Sequence, residues 1–258
     1  MSFEIVRIPV WVDNYAYLLL ADDVAAVVDS PEAGPVLAEL ERRGRRLTHI
    51  FNTHHHPDHV GSNAALLAAF DGLEVFAGQY DRDHGRIPGQ TRVLRDLEVF
   101  EWGGETCTVR AVPGHTLGHI LYSWSGGATF VGDTLFVGGC GRLFEGTAQQ
   151  LDRALNDIIA EFPAATALYC AHEYTQANLR FARHVDPDNA ALTSYAATVD
   201  AARAAGKPTV PSVLADELQI NPFLRCHTPA IQAAVGLAGA PRHQVLGALR
   251  SLKDGFRA

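Results

Sequence analysis

The segment NTHHHPDHVG places four histidines and one aspartate within six positions. Alternate side chains of an extended segment point to the same side, so His54 and His56 are expected to face one point and His55 to face away from it. Asp58 and His59 fall at the start of the helix predicted to follow and can turn toward that same point. Imidazole and carboxylate groups are ligands that zinc, iron and manganese accept in proteins. The segment therefore predicts four metal ligands, with His55 packed behind them.

Three further donors each follow an apolar run that is predicted to be a strand: His115 in TVRAVPGHTLGH, Asp133 in ATFVGDTLF and His172 in ALYCAHEYT. Open α/β sheets place their sites at the carboxyl ends of strands, so these donors are expected to converge. Two metal ions, roughly 3.5–4 Å apart, distribute this many donors with less strain than one ion does. A structural role is the usual explanation of a single histidine, but the convergence of seven donors disfavours it. Asp133 is the best candidate for a carboxylate that bridges both ions.

Two other residues near these positions are open to two interpretations. Asp29 ends a predicted strand, where it either orients a ligand histidine or forms a turn. His119 follows His115 by four residues, and it either supports a ligand or has a plain structural role.

The predicted elements divide the chain into two parts. Residues 1–173 alternate strands with short helices, and we expect an α/β domain there. Strands are predicted at 24–30, 47–54, 73–78, 106–112, 121–125, 128–133 and 165–171, and helices at 32–43 and 60–70. Residues 174–258 read as a small all-helical domain, with helices at 174–184, 189–205, 214–220, 230–237 and 242–253.

Composition narrows the class of protein further. The chain has 258 residues, of which 47% are hydrophobic, and a formal net charge of −8. This charge disfavours a general nucleic-acid binder, and no segment approaches the roughly 20 apolar residues of a membrane span. The amino-terminal MSFEIVRIPVW lacks a long uncharged run, which argues against a secretory signal. The four cysteines are widely spaced, which is typical of buried thiols in a reducing compartment and not of a disulfide framework. We expect a cytoplasmic monomer.

The motifs carry a resemblance to a known family. THHHPDH, GHTLGH, VGDTLF and AHEYT resemble the metallo-β-lactamase superfamily. GGCGRLFEGT (138–147), AHEYTQANLRFA (171–182), INPFLR (220–225) and LRSLKDGF (249–256) are more narrowly similar to hydroxyacylglutathione hydrolase, or glyoxalase II. The resemblance spans nearly the whole chain and implies a four-layer αβ/βα sandwich at 1–173, which is the catalytic domain, followed by the helical substrate-binding domain at 174–258. It also implies two divalent metal ions, as zinc, iron or manganese, one held by His54, His56 and His115 and the other by Asp58, His59 and His172, with Asp133 bridging.

The implied activity is hydrolysis of S-(2-hydroxyacyl)glutathione, typically S-D-lactoylglutathione, to glutathione and D-lactate. This is the second step of methylglyoxal detoxification. A hydroxide held by two metal ions exists at neutral pH because each ion lowers the pKa of bound water. A thiol of pKa about 8.5 leaves as thiolate without an added proton, which suits a thioesterase. Asp58 either orients this hydroxide or only binds metal. Asp133, which bridges the two ions, is the other residue expected to be catalytic.

Glutathione carries carboxylates, so an acidic protein needs a local basic patch to bind it. Arg250 and Lys253 are spaced i and i+3 and share a helix face. Taken alone, such a pair is usually solvated, but in the resembling family the matching pair holds the glycine carboxylate of glutathione. By the same resemblance, Arg142 and Tyr174 contact the tripeptide. Phe144 replaces a tyrosine found in some members, which removes one hydroxyl contact.

Other functions compete with this interpretation. A persulfide dioxygenase of the same superfamily uses a single iron and oxygen, and it lacks the helical part with Arg250 and Lys253. A β-lactamase is normally exported and a nuclease prefers a basic surface, so both fit less well. A non-catalytic binding module would require loss of ligands, but all seven positions hold competent donors.

Overall fold

The computed structural model describes residues 2–257. Its strands are β1 (Glu4–Val10), β2 (Asn14–Leu20), β3 (Ala25–Val28), β4 (His49–Phe51), β5 (Glu74–Gly78), β6 (Arg92–Leu94), β7 (Val99–Trp102), β8 (Glu105–Ala111), β9 (Ile120–Trp124), β10 (Ala128–Gly132), β11 (Leu135–Phe136), β12 (Gly139–Cys140), β13 (Ala167–Cys170) and β14 (Ser212–Val213). Its α-helices are α1 (Gly34–Arg43), α2 (Pro57–Val60), α3 (Asn63–Ala69), α4 (Gln79–Asp83), α5 (Ala148–Arg153), α6 (Thr175–Val185), α7 (Ala190–Ala204), α8 (Leu214–Ile220), α9 (Pro229–Ala234) and α10 (Arg242–Gly255).

The chain divides into two compact units. The first unit contains the residues up to Ala111 together with Gly118–Gly132, and the second contains Val112–Leu117 together with the residues from Asp133 on. The donors of the histidine-rich segment belong to the first unit. The donors His115, Asp133 and His172 belong to the second.

A six-stranded sheet in the order β1 to β6 forms the larger part of the first unit. Strands β1, β2 and β3 pair antiparallel, whereas β3 to β6 are parallel. Helix α1 connects β3 to β4, buries Val36 and Leu40, and ends at Gly44, whose positive φ of 62° closes the last turn. Because β3, β4 and β5 are parallel, the segments that follow them leave the sheet at the same edge. The histidine-rich segment follows β4 at this edge.

Aromatic side chains join this sheet to the antiparallel ladder β7–β8–β9–β10 of the same unit. The ring centroid of Phe51 on β4 lies 5.4 Å from that of Tyr122 and 5.7 Å from that of Trp102. The Tyr122 hydroxyl donates to the carbonyls of Asn52 and Phe76. This packing fixes the end of β4, from which the predicted ligands extend.

The second unit is mostly helical. The hairpin β11–β12 follows Asp133, and β13 pairs antiparallel with the two-residue β14. Helices α6, α7 and α8 share an apolar core that consists of Leu179, Ala182, Leu192, Ala196, Val199 and Ile220. The helices predicted beyond residue 173 are confirmed by α6 to α10, with shifts of a few residues at their ends.

Two predicted boundaries near the histidines were wrong. The strand predicted at 47–54 ends at Phe51, because the amide of Thr53 donates to the Asp29 carboxylate and not to a neighbouring strand. The helix predicted at 60–70 begins at Asn63, after the separate turn of α2. Within residues 2–257, no helix combines the length and the apolar character that crossing a bilayer requires.

Candidate metal centre

Four predicted ligands form the first donor set: His54, His56, Asp58 and His59. Nε2 of His54 lies 3.0 Å from Nδ1 of His56, and Nε2 of His59 lies 3.5 Å from an oxygen of Asp58. His54 and His59 are fully buried. Asp58 and His59 lie in α2, which starts at Pro57, a residue suited to the first helical position. Each of the four side chains belongs to a group of donors that could hold a metal ion.

Asp29 determines how two of these imidazoles present their nitrogens. Its carboxylate accepts from the Thr53 amide at 2.9 Å, from the Thr53 hydroxyl at 2.7 Å and from Nδ1 of His59 at 2.9 Å. The proton of His59 therefore lies on Nδ1 and its lone pair on Nε2. The hydroxyl of Thr53 gives its only hydrogen to Asp29, so it accepts from Nδ1 of His54 at 3.1 Å. Asp29 thus places the lone pairs of both His54 and His59 on Nε2. Of the two interpretations of Asp29, the geometry favours the orienting role.

Two further histidines, His119 and His55, lie beside the donor set. The buried ring of His119 stacks on that of His54, with centroids 4.6 Å apart and an angle of 18° between the planes. Nδ1 of His55 lies 3.4 Å from a carboxylate oxygen of the buried Asp81. His55 therefore has a carboxylate partner of its own.

Sequence reasoning missed Asn14. Its side-chain amide is buried and donates to Oδ2 of Asp58 at 3.1 Å. This contact restricts the rotation of the carboxylate. Asn14 lies 44 positions before Asp58 and has a residue type that is common in turns, so no local pattern could have indicated it.

The second donor set consists of His115, Asp133 and His172, all of them buried. Nε2 of His115 lies 3.5 Å from Oδ2 of Asp133, and Nε2 of His172 lies 3.5 Å from Oδ1 of Asp133. One oxygen of the Asp133 carboxylate therefore faces each imidazole. A carboxylate in this position is suited to bridging two cations. Each of the three side chains also belongs to a group of donors that could hold a metal ion.

Neighbouring residues of the second unit hold these imidazoles in place. Nδ1 of His115 donates to the backbone carbonyl of Arg142 at 2.9 Å, which leaves the His115 lone pair on Nε2. Tyr174 stacks on His172, with ring centroids 4.6 Å apart and planes only 4° from parallel. The edge of Phe144 meets the ring of His115 at 5.2 Å. Arg142 and Tyr174, both predicted to contact substrate, thus also touch predicted ligands.

The predicted basic patch is more buried than its sequence indicates. Arg250 is buried, and it donates to the Cys140 carbonyl at 2.8 Å and to Asp254 at 3.1 Å. The same oxygen of Asp254 lies 3.5 Å from Nε of Arg142. Burial, and then the positive charge of Arg250, lower the pKa of Lys253 to about 8. Arg142 and Arg250 therefore share the Asp254 carboxylate, and the pKa of Lys253, at about 8, lies below the usual range of a lysine.

Both donor sets fit a divalent metal. Imidazole nitrogens and carboxylate oxygens suit zinc, iron and manganese, and His59 and His115 have Nδ1 engaged by a carboxylate and a carbonyl respectively, as is typical of metal-binding histidines. A structural cluster of histidines would not need the lone pairs to point inward. The protein therefore contains a His/Asp cluster that is able to bind metal ions.

Comparison with known proteins agrees with this chemistry. A family model described as the metallo-β-lactamase superfamily matches residues 9–172, which assigns the α/β fold to that class. A second model, described as the hydroxyacylglutathione hydrolase C-terminus, matches residues 173–256. The chain belongs to the hydroxyacylglutathione hydrolase family. The predicted fold, a metallo-β-lactamase fold followed by a helical carboxyl-terminal part, is confirmed.

Individual relatives are similar over nearly their whole length. The hydroxyacylglutathione hydrolase of Methylococcus capsulatus is 49% identical, with 98% of this chain and 99% of the relative covered. That of Synechococcus sp. (strain JA-2-3B'a(2-13)) is 50% identical, with 98% and 100% covered. Among solved structures, TTHA1623 in a di-iron-bound form is 27% identical with a TM-score of 0.54, and the match covers 64% of this chain and 90% of that one.

Proposed function

We propose that this protein hydrolyses S-(2-hydroxyacyl)glutathione, with S-D-lactoylglutathione as substrate, to glutathione and D-lactate. It would then catalyse the second step of methylglyoxal detoxification. The observation that carries the proposal is the full-length similarity to hydroxyacylglutathione hydrolases at 49% and 50% identity. This similarity includes the helical part, which the broader superfamily model does not cover. We place the boundary between the catalytic and the substrate-binding domain at residues 173 and 174.

The cofactors that we propose are two divalent metal ions per chain, as zinc, iron or manganese. His54, His56 and His115 would hold one ion, Asp58, His59 and His172 the other, and Asp133 would bridge them. Two observations support this assignment. The first donor set contains two close pairs, His54 with His56 and Asp58 with His59. In the second donor set, each oxygen of Asp133 faces a different imidazole.

The bound ions would supply positive charge that activates water and polarises the thioester carbonyl. The remaining steps depend on groups of the chain itself. Asp29 and the Arg142 carbonyl keep the protons of His59 and His115 on Nδ1, so that Nε2 stays available to a ligand. Asn14 holds Asp58, which also orients the attacking water in this proposal. The glutathione thiolate leaves without a proton donor, since its thiol is acidic enough to depart as the anion.

Arg142, Tyr174, Arg250 and Lys253 would bind the glutathione part of the substrate. Lys253 suits this role, because burial, and then repulsion from the positive charge of Arg250, lower the pKa of its amine. An incoming carboxylate would relieve this repulsion. Arg250 also stabilises the patch, since its guanidinium donates to the Cys140 carbonyl and to Asp254.

We further propose that the protein is a cytoplasmic monomer that binds neither nucleic acid nor membranes. The four cysteines are buried and free, as expected in a reducing compartment. The formal charge of −8 disfavours binding to nucleic acid and to anionic lipid.

A mononuclear iron persulfide dioxygenase is not favoured, because the full-length relatives are hydroxyacylglutathione hydrolases. A substrate panel distinguishes the two functions. Purified enzyme loaded with metal is expected to release glutathione from S-D-lactoylglutathione and to consume no oxygen with glutathione persulfide. The Asp133→Asn variant, which has nearly the same shape, is the control and is expected to lose the thioesterase activity. Oxygen uptake with the persulfide and an intact thioester would overturn the proposal.

A further inference from the structure

Three buried polar side chains surround the turn between β11 and β12, and the proposed chemistry uses none of them. They are Asn178 on α6, Glu217 on α8 and Asn221 just after α8, with exposed fractions of 3%, 0% and 0%. Burying polar groups costs free energy unless each group finds a partner. The turn consists of residues 136–139, and we call it the hairpin turn.

The two asparagines bind the carbonyls of the hairpin turn. Asn221 donates to Phe136 O at 3.2 Å and to Gly139 O at 2.9 Å. Asn178 donates to Val137 O at 3.0 Å. Three backbone carbonyls of four successive residues are therefore held by side chains from outside the hairpin.

Glu217 binds the turn through a backbone amide and not through a carbonyl. One of its carboxylate oxygens accepts from the Gly138 amide at 3.0 Å and from the Asn221 side chain at 2.9 Å. Gly138 has a φ of 66°, a conformation that other residues rarely adopt. The three side chains thus hold the hairpin turn in a backbone conformation that depends on the positive φ of Gly138.

The hairpin turn is joined to the second donor set by very short segments. On one side lies Asp133, two residues before β11. On the other, the Gly141 amide donates to Thr134 O at 3.3 Å, and Arg142 supplies the carbonyl that accepts from His115. A Cβ on Gly141 would lie 2.0 Å from Asp133 O and 2.9 Å from Nδ1 of His115. A shift of the hairpin is therefore transmitted directly to two predicted ligands.

We propose that Asn178, Glu217 and Asn221 form a clamp on the hairpin turn that positions Asp133 and His115 for metal binding. The three are positioning residues and touch neither substrate nor metal. The inference rests on the proposed function insofar as Asp133 and His115 are taken as ligands.

Glu217 acts in this clamp as a hydrogen-bond acceptor. Burial raises the pKa of its carboxyl to about 7, against hydrogen bonds from Asn221, Gly138 and Ser212 that lower it. A glutamine offers the same acceptor oxygen without an ionisable group in the interior, so it is the conservative replacement at this position.

Four variants of the full-length protein test the clamp. Glu217→Ala removes the acceptor, Glu217→Gln keeps an acceptor oxygen, and Asn178→Ala removes the bond to Val137. Asp216→Asn is the matched control, because it makes the same change of charge on the same helix at a residue that does not bind the hairpin turn. The measurements are Zn²⁺ affinity by competition with a chromophoric chelator, the melting temperature of the metal-free protein, and kcat and KM with S-D-lactoylglutathione.

Glu217→Ala is expected to lose roughly 10–100-fold in Zn²⁺ affinity, as is typical when a group that orients a ligand is removed. Its kcat should fall with little change in KM, and Glu217→Gln should restore both affinity and kcat. Asn178→Ala is expected to lose less Zn²⁺ affinity and less kcat than Glu217→Ala. It is the variant to measure if Glu217→Ala does not fold. Folded alanine variants with unchanged Zn²⁺ affinity would overturn the clamp, as would a loss that Glu217→Gln fails to restore. If the wild-type protein binds Zn²⁺ but leaves the thioester intact, the proposed function is wrong. The Zn²⁺ affinities of the variants still test the clamp in that case.

Discussion

Replacing Asp29 by Asn should weaken metal binding while leaving the fold in place. Asn tolerates the positive φ of 45° at this position, so the backbone need not change. The amide oxygen can still accept from the Thr53 amide, but the new NH₂ group faces the hydroxyl of Thr53 and Nδ1 of His59. An NH₂ group cannot accept a hydrogen bond, so the proton of His59 must move to Nε2, the nitrogen that is proposed to bind metal.

The magnitude follows from the bonds that are lost. Two of the three charge-assisted hydrogen bonds to the carboxylate can no longer form in their present direction, and bonds to charged groups contribute about 1.5–3 kcal/mol each. Part of this loss falls on the stability of the metal-free protein and part on metal binding. Loss of an orienting partner typically costs about 10–100-fold in metal affinity, which corresponds to roughly 1.4–2.7 kcal/mol. We therefore expect Zn²⁺ affinity to fall within this range.

The assay is chelator competition for Zn²⁺, with thermal unfolding of the metal-free protein measured in parallel. Asp81→Asn is the matched control, because Asp81 is also a buried carboxylate with a histidine partner, His55. That variant should bind Zn²⁺ as the wild type does, since His55 is not a proposed ligand. A folded Asp29→Asn protein with wild-type affinity would refute the orienting role of Asp29, and a large loss in Asp81→Asn would show that His55 contributes to the site.

Three further outcomes follow from the second unit. The pKa of Lys253 is lowered to about 8, so its amine loses its positive charge as the pH rises through that value. The kcat/KM of the wild type should therefore fall over this pH range, and the ratio of wild-type kcat/KM to that of Lys253→Met should fall with it. Asp254→Asn should lower KM by up to about fivefold, since a partly exposed ion pair contributes at most about 1 kcal/mol and Asp254 competes with the substrate carboxylate for Arg142 and Arg250. Gly141→Ala should reduce stability by about 1–3 kcal/mol and also reduce Zn²⁺ affinity, because the added Cβ has no room beside the Asp133 carbonyl.

Each of these outcomes has its own control. A pH dependence that Lys253→Met retains in full would show that the lysine is not the titrating group. An increase of KM in Asp254→Asn would mean that Asp254 organises the patch for substrate and does not compete with it. Gly255→Ala is the control for Gly141→Ala, because a Cβ on Gly255 meets nothing within 4 Å, and the variant should behave as the wild type.

The sequence indicated the candidate donors but not the residues that support them. The seven donors have side chains with recognisable chemistry and follow apolar runs, so spacing alone could bring them together as candidates. The role of Asn14 and the chain of contacts from Asp29 through Thr53 to His54 depend on residues that are far apart in sequence. Their side chains are of ordinary types, so only the fold shows what they bind.

Burial was the property that sequence patterns described least well. The i and i+3 spacing of Arg250 and Lys253 correctly indicated one face of a helix, but it gave no sign that Arg250 is buried against the Cys140 carbonyl. Strand β2 was not predicted because all seven of its residues are buried, so the alternation of apolar and polar side chains is absent. Tertiary packing decides both features.

The dependence of S-D-lactoylglutathione hydrolysis on the number of bound metal ions tests the central claim most directly. Metal-free protein is titrated with Zn²⁺, the metal content is quantified by elemental analysis, and the loss of thioester absorbance is followed at each step. The proposal predicts that the full rate is reached only when two ions are bound per chain. Full activity with one ion per chain, or an intact thioester with two, would contradict it.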